Sequence, residues 1–363
     1  MNKRFLLLLI FMGVGVLLGP APVYPYESRS DGQPVVVPRS AQKLLPDISL
    51  IGTVAAAYFS DEPAGETGHD PARSGFTLQE IEIAFQSVID PYLRGDLFLS
   101  FQEVGVELEE GYVTTLGLIK GLQIRGGKFL LPFGRQNQKH LETWDFANLP
   151  LVNKYLLGPE NLSELGAEIS YLLPTPFFLQ LQGTFSNGEN ETSFGGGRPG
   201  DFVYQGRVST GFDTSKNTTI LLGTSAASGF NDTDLGNQTR LFGGDFLFKW
   251  KPASYRSVTW QSEYIYRWRQ GAGRLTEEGG LYSYVDYQFL KRWHLGMRYD
   301  QMGLPQDTIV KEWRATPTVT FNPTEFSRIR LEYEYDKTSN ARRVHAAFLQ
   351  LEFSMGSHGA HAF

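Results

Sequence analysis

Apolar and polar residues alternate one for one along much of the chain. "FSRIRLEYEYD" (Phe326 to Asp336) sets Arg328, Arg330, Glu332 and Glu334 on one parity and Ile329, Leu331, Tyr333 and Tyr335 on the other. Successive side chains of a strand leave opposite faces, so a period of two predicts β-structure. "RWHLGMRYD" places Trp293, Leu295, Met297 and Tyr299 against Arg292, His294, Arg298 and Asp300. "VTWQSEYIYRWR" places Trp260, Tyr264, Tyr266 and Trp268 against Gln261, Glu263, Arg267 and Arg269. About sixteen such segments are bounded by turn residues. They are 47–59, 76–88, 92–102, 106–116, 121–131, 165–173, 177–186, 202–212, 218–226, 239–251, 258–269, 279–289, 292–301, 311–321, 326–336 and 343–353. The third to fifth of them do not declare their faces clearly.

The connections alternate as well. Long ones at 60–75, 132–164, 187–201, 227–238, 270–278, 302–310 and 337–342 are separated by tight turns such as "PTP", "DTSKN", "LK" and "NPTE". Only the connection near Glu103–Gly105 breaks the regularity. Long loops on one rim and short turns on the other characterise outer-membrane barrels. The predicted fold is therefore all-β, a transmembrane antiparallel barrel of about sixteen strands, both ends of the sheet lying on the short-turn rim.

A sandwich would bury the apolar parity and wet the charged one. A barrel in lipid does the opposite. Aromatic residues recur near strand ends, at Trp260, Trp268, Trp293, Tyr299, Trp313, Phe321, Tyr333 and Tyr335. Such residues form girdles at membrane–water interfaces. Four ionic residues on one strand cost several kcal/mol each if buried dry and unpaired, and little in a watery lumen. The charges are therefore placed inside. Sixteen strands enclose an aqueous channel rather than a packed interior.

Composition agrees. Charged residues are 20% of the 363, hydrophobic ones 41%, and the net charge is -6. A barrel strand is only half apolar, so bulk hydropathy does not reveal it. Mild acidity without a basic tract argues against nucleic acid as a partner. With no cysteine there is no disulfide framework and no thiol chemistry. Lys3 and Arg4 precede an apolar run from Phe5 to Leu18, the form of a signal peptide. The expected organisation is a signal peptide at 1–26, a periplasmic lead-in at 27–46 and a barrel at 47–363.

The longest connection, Pro132 to Glu164, is the third on the long-loop rim. It carries Leu141, Trp144, Phe146, Leu149, Leu151, Val152, Tyr155, Leu156 and Leu157. A loop this long and apolar is expected to fold into the lumen and narrow it. The candidate constriction groups are Arg135, Lys139, His140, Glu142, Asp145 and Lys154. The candidate pore-lining groups, by parity, are Arg207, Lys249, Glu263, Arg267, Arg269, Arg298, Asp300, Arg314, Arg328, Arg330, Glu332 and Glu334.

"GKFLLPFG" (Gly127 to Gly134) and "NLPLVNKYLLGPENLSELGAEISYLLP" (Asn148 to Pro174) resemble the phosphate-selective porin O and P family in its broad sense. The ending "MGSHGAHAF" is similar to that of zinc-regulated, porin-like outer-membrane proteins. The resemblance implies a sixteen-stranded homotrimeric channel with inward-folded loops, and recognition of the C-terminus by the barrel-assembly machinery. Phosphate-selective members carry a ladder of arginines and lysines in the lumen. Here acids, among them Glu80, Glu82 and Glu168, match the bases. A one-signed filter needs a surplus at the constriction.

His358 and His361 are two imidazoles without a carboxylate, so no metal or other cofactor is expected. His140 near Glu142 and Asp145, and His345 on the last strand, lack a nucleophile motif, so an outer-membrane hydrolase is the weaker alternative. A structural or adhesive barrel is another; its acidic loop "SDEPAGETGHD" would touch divalent cations or lipopolysaccharide. The expected function is a porin of a Gram-negative outer membrane. It sits among lipid and lipopolysaccharide and passes small hydrophilic solutes and ions passively, with anions such as phosphate among the candidates.

Overall fold

The computed structural model describes residues 46–62, 68–71, 73–103, 105–195, 198, 200–271, 273–305, 311–337 and 342–356. The signal peptide, the lead-in before residue 46 and the tail with His358, His361 and Phe363 lie outside the described residues.

Sixteen strands follow one another: β1 (Asp47–Phe59), β2 (Gly75–Asp90), β3 (Leu93–Gln102), β4 (Gly105–Thr115), β5 (Leu122–Leu130), β6 (Ser163–Leu172), β7 (Phe178–Asn187), β8 (Phe202–Ser215), β9 (Thr218–Asp232), β10 (Asn237–Ala253), β11 (Arg256–Gly271), β12 (Arg274–Leu290), β13 (Trp293–Met302), β14 (Trp313–Thr324), β15 (Ser327–Lys337) and β16 (Arg343–Gly356). One helix, α1 (Leu151–Leu157), lies in the connection between β5 and β6. Each strand pairs antiparallel with its chain neighbours, and β1 pairs with β16 from Ser49–Gly356 to Phe59–Ala346. Closure leaves no sheet edge, so every ladder N–H and C=O has a partner without water.

The two parities separate as expected of a barrel in lipid. On β15, Leu331 is 56% exposed while Glu332 next to it is 1% exposed. Leu331 stands between Val319 of β14 and Leu349 of β16 on the outer face. Aromatic pairs mark both ends of that face. Trp313 packs on Tyr335 with ring centroids 5.2 Å apart near the long-loop rim. Trp293 packs on Phe321 at 4.5 Å near the short-turn rim.

Two expected long connections are shorter than the pattern predicts. β9 runs on to Asp232 and β10 starts at Asn237, while β11 and β12 are separated only by residues 272–273. Hydrophobic alternation fades there, but the hydrogen-bond ladder continues through Arg267–Glu278 to Gly271–Arg274. A strand that rises beyond the apolar belt needs no lipid-facing residue, so its pattern lapses before its pairing does.

The unclear face of the fourth predicted segment has a cause, which β2 shares. On β2 the register shifts between the pairs Thr53–Glu80 and Val54–Leu78, leaving Gln79 unpaired. On β4 it shifts between Phe98–Glu110 and Leu99–Leu108, leaving Glu109 unpaired. Each β-bulge turns two consecutive side chains toward one face and breaks the period of two.

Leu331→Arg places a charge at mid-strand on the outer face. Reversible unfolding in lipid vesicles should show a loss of about 2–4 kcal/mol; an unchanged stability would mean that this face does not meet hydrocarbon.

Candidate functional site

The connection from Leu131 to Leu162 is built before it meets the wall. Asn137, fully buried, accepts from Leu162 N at 2.6 Å and donates to the carbonyls of Leu131 and Leu162 at 2.9 and 3.1 Å. One side chain thus closes the base of the loop where the strand ladder has ended. Single 3-10 turns form at Gln136–Gln138 and Leu141–Thr143. Pro150 precedes α1 and accepts from Lys154 N; Gly158, at φ 103°, ends it. A proline at a helix start and a glycine after its end fit their preferred backbone angles. Gly134, at φ 65°, lies so close to Glu263 that a side chain there would overlap the carboxylate.

The apolar side of this connection packs on inward-facing apolar residues of the far wall. Phe133, Phe146, Leu151, Val152 and Leu156 join Val203, Ala227, Leu241, Ile265, Tyr282 and Met302 in one cluster. Its polar backbone is met by inward-facing charges. Ala147 N donates to Glu332 Oε1 at 2.9 Å, and Leu151 N to Asp300 Oδ1 at 3.1 Å. Arg298 donates to Asn148 O and Oδ1 at 2.8 and 2.6 Å, pairs with Asp300 at 2.8 Å and lies over the Phe146 ring. Arg330 donates to Trp144 O at 2.7 Å, and Arg328 to Glu142 O at 2.7 Å. Asn148 Nδ2 donates to Glu334 at 2.7 Å, and Gln79 of β2 donates to Ala147 O at 2.9 Å. Irregular backbone away from water needs such partners for each N–H and C=O.

Within the connection, Lys139 pairs with Asp145 at 2.7 Å. Burial alone would raise the Asp145 pKa, but the Lys139 charge and its hydrogen bond hold it below the usual carboxylate range. Lys154 pairs with Asp70 at 2.9 Å, and Tyr155 donates to Glu312 at 3.0 Å.

On the other side of the connection, against β2 to β4, lies a different environment. His140 is 2.8 Å from Glu82, 3.3 Å from Glu109 and 3.0 Å from Glu110. His69 is 3.5 Å from Glu80 and 3.3 Å from Glu160. Burial disfavours the charged His69 ring, but the hydrogen bond to Glu160 and the charges of Glu80, Glu109 and Glu160 outweigh it, pushing its pKa up to about 10. His140 is likewise raised well above its ordinary value, the charges of Glu109 and Glu82 outweighing burial. Beside them a cavity of about 460 Å³ is lined by His69, Glu107, Glu109, Lys128, Glu160, Glu189 and Glu191 among others.

Residues 102–351 match the family model described as "Putative beta-barrel porin-2, OmpL-like". The chain belongs to this family. The porin-like part of the expected resemblance therefore stands, with porin-2 rather than the O and P subtype as the matching family. An uncharacterized protein of Aquifex aeolicus (strain VF5) is 32% identical, the match covering 93% of this chain and 84% of that protein. Among solved structures, the chain is similar in fold to an anion-selective porin from Comamonas acidovorans (TM-score 0.60, 12% identity, 85% of this chain and 99% of that one). It is also similar to the outer membrane channel DcaP of Acinetobacter baumannii (TM-score 0.56, 11% identity, 86% and 98%). The trimer form of OmpT, an outer membrane protein of Vibrio cholerae, gives a TM-score of 0.58 at 9% identity, covering 85% and 98%.

The parity-assigned residues divide into three groups. Glu263, Arg298, Asp300, Arg330, Glu332 and Glu334 are buried under the connection and bonded to it or to its neighbours. They do not stand in open water as the alternation suggests, because the connection's backbone occupies the space before them. Arg207 pairs with Asp245 at 2.7 Å, Arg267 with Glu278 at 2.5 Å, Arg314 with Glu334 and Asp336, and Arg328 with Glu352. Arg267 also donates to Thr192 O and Ser193 Oγ of the connection before β8. Lys249 is exposed toward the short-turn rim, and Arg269 is half-buried. In the connection, Arg135 is half-buried and Glu142 buried.

Sequence reasoning missed His69, Gln79, Glu109 and Glu110 as members of one cluster. The bulges hide Gln79 and Glu109 from any parity count. A signal did exist for the packed side of the lumen. Val203, Leu241 and Ile265 are apolar residues on inward positions of otherwise polar-inward strands.

Arg298→Ala would remove the bonds to Asn148 and leave Asp300 buried beside no guanidinium. Breaking one partner of such a pair costs about 3–5 kcal/mol. Thermal unfolding of the variant should show a lowered midpoint, with protease cleavage inside 145–151; an unchanged midpoint and cleavage pattern would remove Arg298 as an anchor.

Proposed function

We propose that the protein is a porin of a Gram-negative outer membrane, passing small hydrophilic solutes and ions down their gradients. In this reading the connection 131–162 folds into the lumen and sets its constriction. The observation that carries it is the double use of one connection: its apolar residues and its backbone are both matched by inward-facing residues of strands around the barrel. Water and solute are left the acidic space along β3 to β5. Membership of a porin family supports the channel class over a hydrolase. The histidines that could serve as bases have other neighbours: His345 Nδ1 lies 2.6 Å from Tyr333 Oη on the outer face, and His140 is ringed by carboxylates.

The lining of the open space refines the solute class. Glu107, Glu109, Glu160, Glu189 and Glu191 face it, with Lys128 and His69 as the opposing cations, so acids remain in excess. Clefts lined by one sign concentrate the opposite ion. We therefore expect cations and neutral polar solutes to be favoured over phosphate. A homotrimer is the proposed assembly, supported by the trimer form of the Vibrio cholerae neighbour. Lipopolysaccharide contact and recognition by the barrel-assembly machinery remain part of the proposal, and the terminal Phe363 that would serve the latter lies outside the described residues.

Planar-bilayer recording tests this reading. The full protein should give stepwise conductance, and removal of residues 136–160 should enlarge each step. No steps from either form would point to a filled structural barrel; equal steps would take the connection out of the constriction. In a salt gradient the reversal potential should show cation preference, abolished by neutralising Glu107, Glu189 and Glu191. Anion preference would overturn the charge argument alone.

A further inference from the structure

The cluster where the first long connection, the β2–β4 wall and the β5–β6 connection meet has a chemistry that a solute path does not require. Two triads share Glu109: His69, Glu80 and Glu109, and Glu82, Glu109 and His140. In each, one ligand atom per residue lies within 4.8 Å of the others. Among the described residues, the ion pairs of Glu80, Glu82, Glu109, Glu110 and Glu160 are all with His69 or His140. Two imidazoles, with at most two positive charges, thus serve five carboxylates, of which Glu110 also accepts from Leu130 N at 2.6 Å and Glu160 is partly exposed.

Glu80 and Glu82 are each 2% exposed, yet Oε1 of Glu80 has no hydrogen-bond partner, and Oε2 of Glu82 meets only His140 Nδ1, at 2.8 Å. Buried oxygens of carboxylates without donors are rare in folded proteins and call for a proton, a water or a cation. Two imidazoles beside carboxylates make a mixed nitrogen and oxygen donor set. Hard Ca²⁺ and Mg²⁺ take oxygen sets; imidazole suits Zn²⁺ and the neighbouring transition metals.

We infer that His69, Glu80, Glu82, Glu109 and His140 form a binding site for a divalent transition-metal ion of the Zn²⁺ class, with Glu109 as the shared ligand. The bulge on β4 is what makes this arrangement available. Without the extra residue, Glu109 and Glu110 would face opposite sides of the sheet, and the two triads would have no common member. The bound ion would displace the ring protons of His69 and His140 to solvent and join three separate stretches of chain. His69 belongs to the connection after β1, Glu80, Glu82 and Glu109 to the wall, and His140 to the connection after β5. Metal binding would thereby fix the β5–β6 connection to the wall on the side opposite Arg298 and Glu332. This inference stands on its own and does not need the barrel to conduct.

The test uses the full chain in detergent after chelator treatment. Zn²⁺ titrated calorimetrically should bind saturably at micromolar concentration or tighter, and Co²⁺ should give visible d–d bands on the same groups. His69→Asn, His140→Asn and Glu109→Gln should each weaken Zn²⁺ at least about tenfold, the scale on which even outer-shell partners matter. His294→Asn, on the far rim beside Asp286, and the double variant His358→Asn/His361→Asn in the tail should leave binding unchanged. Circular dichroism and heat-modifiable migration confirm that each variant is folded, and the three conservative variants keep the test open if one fails. Absence of saturable binding would overturn the inference. So would binding that survives all three cluster variants or is lost with the tail histidines.

Discussion

Backbone polar groups that cannot reach water must find partners inside the protein, and this requirement shapes the molecule twice. In the wall it forces closure: β1 pairs with β16, and no edge remains. It also governs the β5–β6 connection, whose irregular backbone is bonded to side chains of the strands. The wall supplies the missing partners from its inward charges. Glu332, Asp300, Arg298 and Arg330 each bond to main-chain atoms of the connection. A charged inner face therefore does more than wet a channel. It is the docking surface for a segment that is itself apolar on one side and polar on the other.

The two sides of the connection differ. Toward β8–β13 the apolar side of the connection completes a packed cluster with Val203, Leu241, Ile265 and Tyr282. Toward β2–β5 the same connection presents His140 to a group of glutamates, and the space beyond is open and acidic. One half is held by dispersion and paired charges; the other carries an excess of one sign. That asymmetry is why the two halves support different chemistry.

Much of this was legible in the sequence, and the exceptions have physical reasons. Strand number, strand order and the outward parity of β11, β13 and β15 follow from alternation, because lipid on one side and polar groups on the other impose it residue by residue. The length of β12 was not legible, since its first residues pair above the apolar belt where no pattern is needed. The long connection was recognisable from Trp144, Phe146 and Leu149 to Leu157. Its partners were harder to see: Glu332 and Asp300 read as wetted charges because sequence alone does not say what stands before them. The His69–His140 cluster was hidden by two bulges, at Gln79 and Glu109, that displace the parity by one.

The central claim is that inward-facing charges of the barrel hold the backbone of residues 131–162. Amide hydrogen exchange on the protein in lipid tests it most directly. The account predicts that the amides of Ala147, Leu149 and Leu151, bonded to Glu332, Asp70 and Asp300, exchange as slowly as those of β13 and β15. Exchange of these amides at the rate of an unprotected rim loop would contradict it.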